Sequence, residues 1–130
     1  MRASSTHTQV YFPANVTEGD TSTYWESQWA FPQSLTVDLG SRTRVARIVL
    51  NLPRIADWTP RTQTVEIYGS VGSAVPRFTI VPTAAYAFSL SHRNEVTINF
   101  TPVVTRFVTL YYTAVAGWPG AQLSEILIYG

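Results

Sequence analysis

The sequence predicts an all-β domain built as a sandwich or a barrel. Apolar and polar residues alternate with a period of two, and turn-forming residues recur at roughly ten-residue spacing. No stretch combines a sustained helical period with capping residues. The chain has 130 residues, which is enough for one domain with a buried core. We therefore expect residues 1–130 to form a single domain.

Three strands are predicted in the first half of the chain. Ser34–Leu39 alternates cleanly, with a leucine or valine at every second position. Arg44–Leu52 is longer and more apolar, which is typical of a strand with little exposed surface. Thr62–Gly69 alternates again through Val65 and Ile67, so one of its faces should point into the core.

Four more strands are predicted in the second half. Phe78–Val81 is short, Glu95–Phe100 alternates cleanly, and Phe107–Tyr112 and Ile126–Tyr129 complete the set. The turn signals that separate all the strands are Gly40-Ser41, Pro53, Gly69–Gly72, Pro82, Ser91–Asn94, Thr101-Pro102 and Gly117–Gly120. Residues 20–25 favour a single helical turn at most.

The composition argues against several classes of function. Apolar residues make up 45% and charged residues only 13% of the chain, and the formal net charge is +1. No strong field therefore attracts nucleic acid or an anionic membrane. Cysteine is absent, which excludes disulfides, thiolate zinc sites and cysteine nucleophiles. The remaining surface must be rich in serine, threonine and amides, as in many secreted all-β domains.

The start of the chain indicates a module excised from a larger protein. Met1-Arg-Ala-Ser-Ser5 lacks the apolar segment of a signal peptide, and no 18-residue apolar run could span a bilayer. We expect the parent protein to be secreted by a bacterium, with the methionine added for expression. Contact with a membrane is not expected.

A short loop near the start of the chain has the chemistry of a Ca²⁺ site. The segment Asn15–Trp25 combines two carboxylates, a glycine and several hydroxyls, and it ends on an aromatic anchor. Hard cations such as Ca²⁺ prefer cages of oxygen atoms of this kind. Glu125, far along the chain, supplies another carboxylate at the start of the last strand. If these groups meet, the ion ties the two ends of the domain together.

The order and spacing of several motifs resemble one known superfamily. The matching segments are Gly19-Asp20, Thr23–Ser27, Phe31–Gln33, Leu35–Gly40, Pro53-Arg54, Arg61, Val65–Tyr68, Gly117-Trp118, Leu123–Ile126 and Ile128-Tyr129. Together they resemble the discoidin, or coagulation factor V/VIII type C, superfamily, and they are most similar to its family 32 carbohydrate-binding modules. The resemblance implies a β-sandwich jelly roll of about eight strands.

The resemblance also assigns a role to each residue of the cation loop. It implies ligands from the first loop and from the start of the last strand, namely Asn15, Glu18, Asp20, Thr23, Ser124 and Glu125. Glu18 and Glu125 would use their side chains, and Thr23 its carbonyl and hydroxyl. The others would use backbone carbonyls. The family usually has aspartate where this chain has Glu18, so the loop must adjust to a longer side chain.

The resemblance further implies a sugar site on loops at one end of the sandwich. Carried over, the family's histidine, arginine, asparagine and aromatic positions become Glu26, Arg54, Thr59 and Trp118. Glu26 and Thr59 depart from the family pattern, so the hydrogen-bonding set for a galactoside is broken. Arg54 and Glu26 can still hydrogen-bond to sugar hydroxyls.

Tryptophans on loops are the natural stacking platforms of such a site. Trp118 and Trp58 each lie in a segment without strand character, where an exposed indole indicates a binding surface. Trp29 is a further candidate at the rim of the site. Asp57 and Gln122 are plausible second contacts.

Other residues have structural interpretations. Trp25 is expected in the core, as the anchor of the first loop. Arg61 and Gln63 alternate with Val65 and are expected to face a sheet or brace a loop. Arg54 could also pair with Asp57 rather than bind a ligand.

The preferred function is that of a non-catalytic module that targets a glycoside hydrolase to a polysaccharide. A softer similarity to modules of bacterial α-1,3-glucanases points to an α-linked glucan. Chitosan is an alternative because its ammonium groups could pair with Glu26. Two further alternatives are binding of a galactoside and protein adhesion of the discoidin type. Lipid-headgroup binding is disfavoured because the loops lack a basic cluster. Hydrolysis by a pair formed from Glu26 and Asp57 is not expected.

Overall fold

The computed structural model describes residues 2–3, 24–52, 60–72 and 77–130, with 2–3 as backbone only. It contains eight strands: β1 Arg2–Ala3, β2 Trp25–Glu26, β3 Gln33–Asn51, β4 Arg61–Ser70, β5 Phe78–Phe88, β6 Glu95–Ala116, β7 Gln122–Leu123 and β8 Glu125–Tyr129. One short 3₁₀ turn, Leu90–His92, precedes β6. The all-β prediction is confirmed. The described residues contain no helix that is long and apolar enough to cross a membrane.

The long strands β3 and β6 each contribute to both layers of the fold. The main sheet has the order β1-β3-β6-β4-β5, and β8 pairs with the second half of β3. The first half of β3 pairs with the second half of β6, for example Leu35 with Leu110, and the reverse halves pair at Ile48 and Ile98. Leu35, Leu110, Ile48 and Ile126 belong to one buried cluster, so the two halves face each other across a common core.

Two predicted turns lie inside these long strands. The register of β3 and β6 shifts between Asp38 and Thr43, where β3 carries more residues than its partner. Gly40 has a φ of +87° and donates its N–H to Asp38 Oδ1 at 2.8 Å. The chain therefore bulges at Gly40 and continues as a strand, and Pro102 of β6 lies in a second register shift, beyond which pairing resumes. The predicted strands 34–39 and 44–52 are thus parts of one strand that ends at Asn51, and 95–100 and 107–112 are parts of β6.

The predicted turn at Pro82 is also absorbed into a strand, β5. Val65 of β4 pairs with Ala84, and Ile67 pairs with Val81, so Pro82 lies in a bulge. Strand β5 stands at the edge of the sheet, where a residue without an N–H breaks no ladder on its open side. This position explains why the proline does not end the strand.

The core contains the tryptophan that the sequence placed there. Trp25 is fully buried and its ring centroid lies 5.8 Å from that of Tyr112. Because Trp25 belongs to β2, the helical turn expected over residues 20–25 does not extend to it. The rest of that segment lies outside the described residues. Strand β2 pairs with β7, Trp25 with Leu123 and Glu26 with Gln122, and this small sheet closes one end of the core.

Candidate functional site

Two exposed tryptophans stand together at the end of the sandwich closed by β2 and β7. Trp29 follows β2 and is 54% exposed, and Trp118, in the loop between β6 and β7, is 39% exposed. Their ring centroids are 6.3 Å apart and their planes meet at 80°. The two indoles thus form an edge-to-face pair, which we call the aromatic corner.

A single buried carboxylate holds both rings of the aromatic corner. Glu26 Oε2 accepts a hydrogen bond from Trp29 Nε1 at 2.9 Å, and Oε1 accepts one from Trp118 Nε1 at 3.1 Å. Oε1 also accepts a bond of 2.6 Å from Nε2 of Gln122. Glu26 is only 2% exposed, although the two rings above it face solvent. The carboxylate therefore fixes the orientation of both indoles while part of each ring stays exposed.

Gln122 links this carboxylate to a buried cation. Arg61 Nη1 donates to Gln122 Oε1 at 2.6 Å, so the amide bridges the opposite charges of Arg61 and Glu26. The side chain of Gln63 bonds to both backbone groups of Gln122, donating to its carbonyl at 3.1 Å and accepting from its N–H at 2.9 Å. Strand β7 is thereby fastened to the start of β4.

The guanidinium of Arg61 supports Trp118 from below. Its Cζ lies 5.0 Å from the centroid of the Trp118 ring, in a cation–π arrangement. Burial lowers the pKa of Arg61, and electrostatic attraction to the Glu26 carboxylate acts in the opposite direction. One face of Trp118 is thus occupied by protein, and a ligand would use the remaining exposed surface of the corner.

Gly120 allows the corner to close over Glu26. A Cβ at this position would lie 2.9 Å from Trp29 Cδ1, 3.1 Å from the carbonyl oxygen of Ser27 and 3.3 Å from Glu26 Cγ. The loop after Trp118 therefore packs directly on the loop after β2. Two further bonds join these loops: Ser27 N–H donates to the Ala121 carbonyl, and Ala121 N–H donates to Ser27 Oγ.

The structure brings four of the predicted ligand-binding residues together: Glu26, Trp29, Trp118 and Gln122. It revises the role of two of them. Glu26 and Gln122 were expected to contact a sugar, but both are buried under the indoles, so they position the site rather than face a ligand. The reason is that Trp29 and Trp118 both fold over the carboxylate. The other four predicted residues, Arg54, Asp57, Trp58 and Thr59, lie outside the described residues.

Arg61 belongs to the candidate site although the sequence assigns it no part in ligand binding. Its alternation with Val65 predicts a side chain that faces a sheet or braces a loop, and in the structure it is 5% exposed. That the braced group is Trp118 could not be seen, because no local pattern links residues this far apart.

Of the residues predicted to bind a cation, Ser124 and Glu125 lie among the described residues. Ser124 precedes β8, and Glu125 is its first residue and pairs with Asn51. Ser124 donates both its N–H, at 2.7 Å, and its Oγ, at 2.9 Å, to the Asn51 carbonyl, so its own carbonyl takes part in neither bond. Asn51 Oδ1 is buried and accepts no hydrogen bond from the described residues. An oxygen without a donor among the described residues, on the strand partner of a half-buried glutamate, is compatible in chemistry with a hard cation.

The remaining predicted ligands, Asn15, Glu18, Asp20 and Thr23, lie outside the described residues. Among the described residues, no group of three or more histidine, cysteine, aspartate or glutamate side chains could hold a metal by itself. A complete cage would therefore need oxygens from the first loop.

Solved structures of carbohydrate-binding modules are similar to this chain. A single-site mutant of chitosan-binding module 1, from a chitosanase/glucanase of Paenibacillus sp. IK-5, is 27% identical, with a TM-score of 0.79 over 98% of this chain and 91% of that chain. The family 32 module of NanJ from C. perfringens, in complex with galactose, is 20% identical, with a TM-score of 0.79 over 99% and 91%. The similarity confirms the β-sandwich jelly roll.

A third structure contains a catalytic domain as well. Truncated AlyQ, with a family 32 module and an alginate lyase domain, is 20% identical, with a TM-score of 0.79 over 99% of this chain and 31% of that chain. No curated protein sequence matches the chain. A family model described as the NedA-like, galactose-binding domain of the F5/F8 type C group matches residues 15–110. The chain belongs to this F5/F8 type C family.

Proposed function

We propose that this chain is a non-catalytic carbohydrate-binding module that holds a polysaccharide against the aromatic corner of Trp29 and Trp118. The observation that carries the proposal is the pair of exposed indoles whose N–H groups both bind one buried carboxylate. Two large apolar rings are kept rigid at the surface at the cost of burying a charge. Such an arrangement is useful when the ring faces bind a ligand.

The chemistry of the corner suits a sugar ring. A pyranose has an apolar face of C–H groups, and stacking this face on an indole removes both surfaces from water. Because both N–H groups are used by Glu26, the tryptophans contribute stacking rather than hydrogen bonds. Hydroxyl recognition must come from other groups, for which Arg54, Asp57 and Thr59 remain candidates, and Trp58 could extend the platform.

We further propose a neutral α-linked glucan, such as α-1,3-glucan, as the target. The similarity to α-1,3-glucanase modules supports this choice, and so does the burial of Glu26. A carboxylate that accepts hydrogen bonds from Trp29, Trp118 and Gln122 and is 2% exposed cannot pair directly with an ammonium group. Among the described residues of the corner, no other side chain is acidic.

Chitosan is the second candidate. It is favoured by the 27% identity to a chitosan-binding module. Binding through ammonium groups would then need carboxylates other than Glu26, and Asp57 is the one among the predicted ligand-binding residues. A galactoside is less well supported because Glu26 and Thr59 replace the residues that the family uses for it.

The proposed role is attachment, not catalysis. The Glu26 carboxylate is enclosed by the residues it positions, so it is unsuited to protonate a glycosidic oxygen. We propose that the module is fused to a glycoside hydrolase in a secreted parent protein. The Paenibacillus module derives from a chitosanase/glucanase, and the AlyQ module is joined to a lyase domain, which supports this organisation.

Binding to insoluble particles tests the function and the choice of sugar. We expect retention on α-1,3-glucan that persists in 1 M NaCl, where the Debye length is about 3 Å, because stacking does not depend on charge. Soluble α-1,3-linked oligosaccharide should release the protein with a dissociation constant in the micromolar to millimolar range, about −4 to −8 kcal/mol. Retention on galactan particles and on chitosan particles is measured in parallel.

The other outcomes of this experiment are equally informative. Retention on chitosan alone, lost in high salt, would overturn the neutral glucan and favour the second candidate. No retention on any of the three polysaccharides would overturn the carbohydrate proposal and favour protein adhesion. Weak binding by a single module is compatible with the proposed function, because several modules or sites acting together give useful retention by avidity.

We also propose that the module binds a structural Ca²⁺ ion through Glu18, Glu125 and the oxygens around them. A ligand present at 100 times its dissociation constant stabilises the folded state by about 2.7 kcal/mol. Removal of Ca²⁺ with a chelator should therefore lower Tm by several degrees, and added Ca²⁺ should restore it. Thermal unfolding monitored by circular dichroism measures the shift.

The variant Glu125→Gln is the control for this Ca²⁺ prediction. It keeps the shape of the side chain but removes its charge, so its Tm should respond less to Ca²⁺. An equal Tm with and without chelator in the unmodified protein would contradict the prediction.

A further inference from the structure

A pocket lies directly beside the aromatic corner and is not part of it. It is lined by residues 60–62 at the start of β4, 87–89 at the end of β5, and 116–117 at the end of β6. It is open to solvent and has a volume of about 220 Å³. That is the volume of roughly seven water molecules, which is room for a single sugar ring.

The pocket and the corner share a wall. Arg61 lines the pocket and places its guanidinium 5.0 Å from the centre of the Trp118 ring. Gly117 lines the pocket and directly precedes Trp118. A Cβ on Gly117 would lie 2.6 Å from the Pro60 carbonyl oxygen, and the φ of this glycine is +92°. The loop therefore packs closely against the start of β4. The pocket residue Gly117 and the stacking residue Trp118 are consecutive in the chain.

The lining of the pocket matches an uncharged, hydroxylated ring. Pro60, Ala87 and Ala116 supply an exposed apolar surface, whereas the side chain of Phe88 is buried in the core. None of the described residues that line the pocket is acidic, so it offers no opposite charge to an ammonium group. An apolar floor with a few polar groups at the edge is the usual form of a site for a small neutral ligand.

The polar edge is a cluster of hydroxyls around an imidazole. Ser89 lines the pocket, and its Oγ lies 3.1 Å from His92 Nδ1 and 2.9 Å from Ser91 Oγ. Ser91 Oγ is in turn 3.2 Å from His92 Nδ1. All three side chains are at the surface. Hydroxyls and imidazole can each donate and accept, which suits the hydroxyl groups of a sugar.

We propose that this pocket is a second saccharide subsite, so that the module recognises at least two consecutive sugar units: one on the aromatic corner and the next between Gly117 and Ser89. This inference rests on the proposed carbohydrate function and deepens it. Its consequence is a dependence of affinity on the length of the oligosaccharide. A single stacking platform would bind a monosaccharide and its longer homologues with nearly equal strength.

The test titrates the protein with glucose, nigerose and nigerotriose, the α-1,3-linked series, and in parallel with glucosamine, chitobiose and chitotriose. In ¹H–¹⁵N spectra, the indole N–H signals of Trp29 and Trp118 report the corner, and the amide signals of Ala87 and Ser89 report the pocket. We expect the monosaccharide to shift only the indole signals. The disaccharide should shift both sets and bind at least tenfold more tightly.

A pair of matched variants separates the subsite from the corner. Ala87→Leu fills the pocket, whereas Ala85→Leu lies two residues earlier on the same face of β5, pairs with Thr64 and does not line the pocket. Both positions are exposed, so folding should tolerate either change. Ala87→Leu should reduce disaccharide affinity to the monosaccharide level, while Ala85→Leu should leave both affinities unchanged. Ser89→Ala should give a smaller loss in the same direction.

The possible failures are distinguishable. If sugars shift the indole signals but affinity does not grow with length, or if Ala87→Leu leaves the length dependence intact, the second subsite is wrong and the proposed function stands. If neither series shifts any signal, the carbohydrate function fails and the subsite fails with it.

Discussion

Replacement of Glu26 by alanine is expected to lower the free energy of unfolding by about 3 kcal/mol and to abolish polysaccharide binding at the same time. The change leaves Trp29 Nε1, Trp118 Nε1 and Gln122 Nε2 without their acceptor. It also removes the negative charge that offsets the buried Arg61. Urea denaturation, followed by circular dichroism, measures the first effect, and particle retention measures the second.

Two further variants make this result specific. Glu26→Gln keeps the shape of the side chain but turns one acceptor into a donor group, so we expect a smaller loss of stability and a weakened, not absent, affinity. Glu66→Ala removes a surface glutamate whose carboxylate accepts a bond from Thr79 on β5. It should change stability by no more than about 0.5 kcal/mol. A Glu26→Ala protein as stable as its parent would contradict the positioning role.

The burial of Glu26 is a property that the sequence alone does not predict. The sequence predicts this residue at the candidate site, because it takes the position of the family's histidine and directly follows Trp25. It did not reveal that the carboxylate is covered, since its cover comes partly from Trp118, which is 92 positions away in the chain. A residue's place in a local motif can be predicted, but its burial depends on which distant loop packs on it.

The strands show the same division between local and non-local information. A period of two predicts that Val65 and Ile67 of β4 share one face, and both are buried, because alternation is a property of the strand itself. The sequence predicts strand ends at Gly40 and Pro82 because each residue favours turns locally. In the fold both lie in bulges, and the pairing of β3 with β6 and of β4 with β5 resumes beyond them. Only the partner strand determines that outcome.

Substitution of Trp118 by alanine should weaken binding to the preferred polysaccharide tenfold or more, about 1.4 kcal/mol or more. The exposed ring supplies stacking surface, and it also packs edge-to-face on Trp29. Trp29→Ala should cause a loss of similar size. Because the two rings touch and share one acceptor, the double variant should lose less than the sum of the single losses. Isothermal titration with soluble oligosaccharide measures all three.

The matched control for the tryptophan variants is Tyr129→Ala. Tyr129 is exposed to the same degree as Trp118, at 39%, and likewise packs against an arginine, with Arg47 Cζ lying 4.4 Å from the ring centroid. It belongs to β8, which pairs with the second half of β3 and has no part in the aromatic corner. Equal losses from Tyr129→Ala and Trp118→Ala would mean that exposed aromatic surface in general causes retention. A loss confined to Trp29 and Trp118 would place binding at the corner, where one carboxylate holds two indoles at a fixed angle.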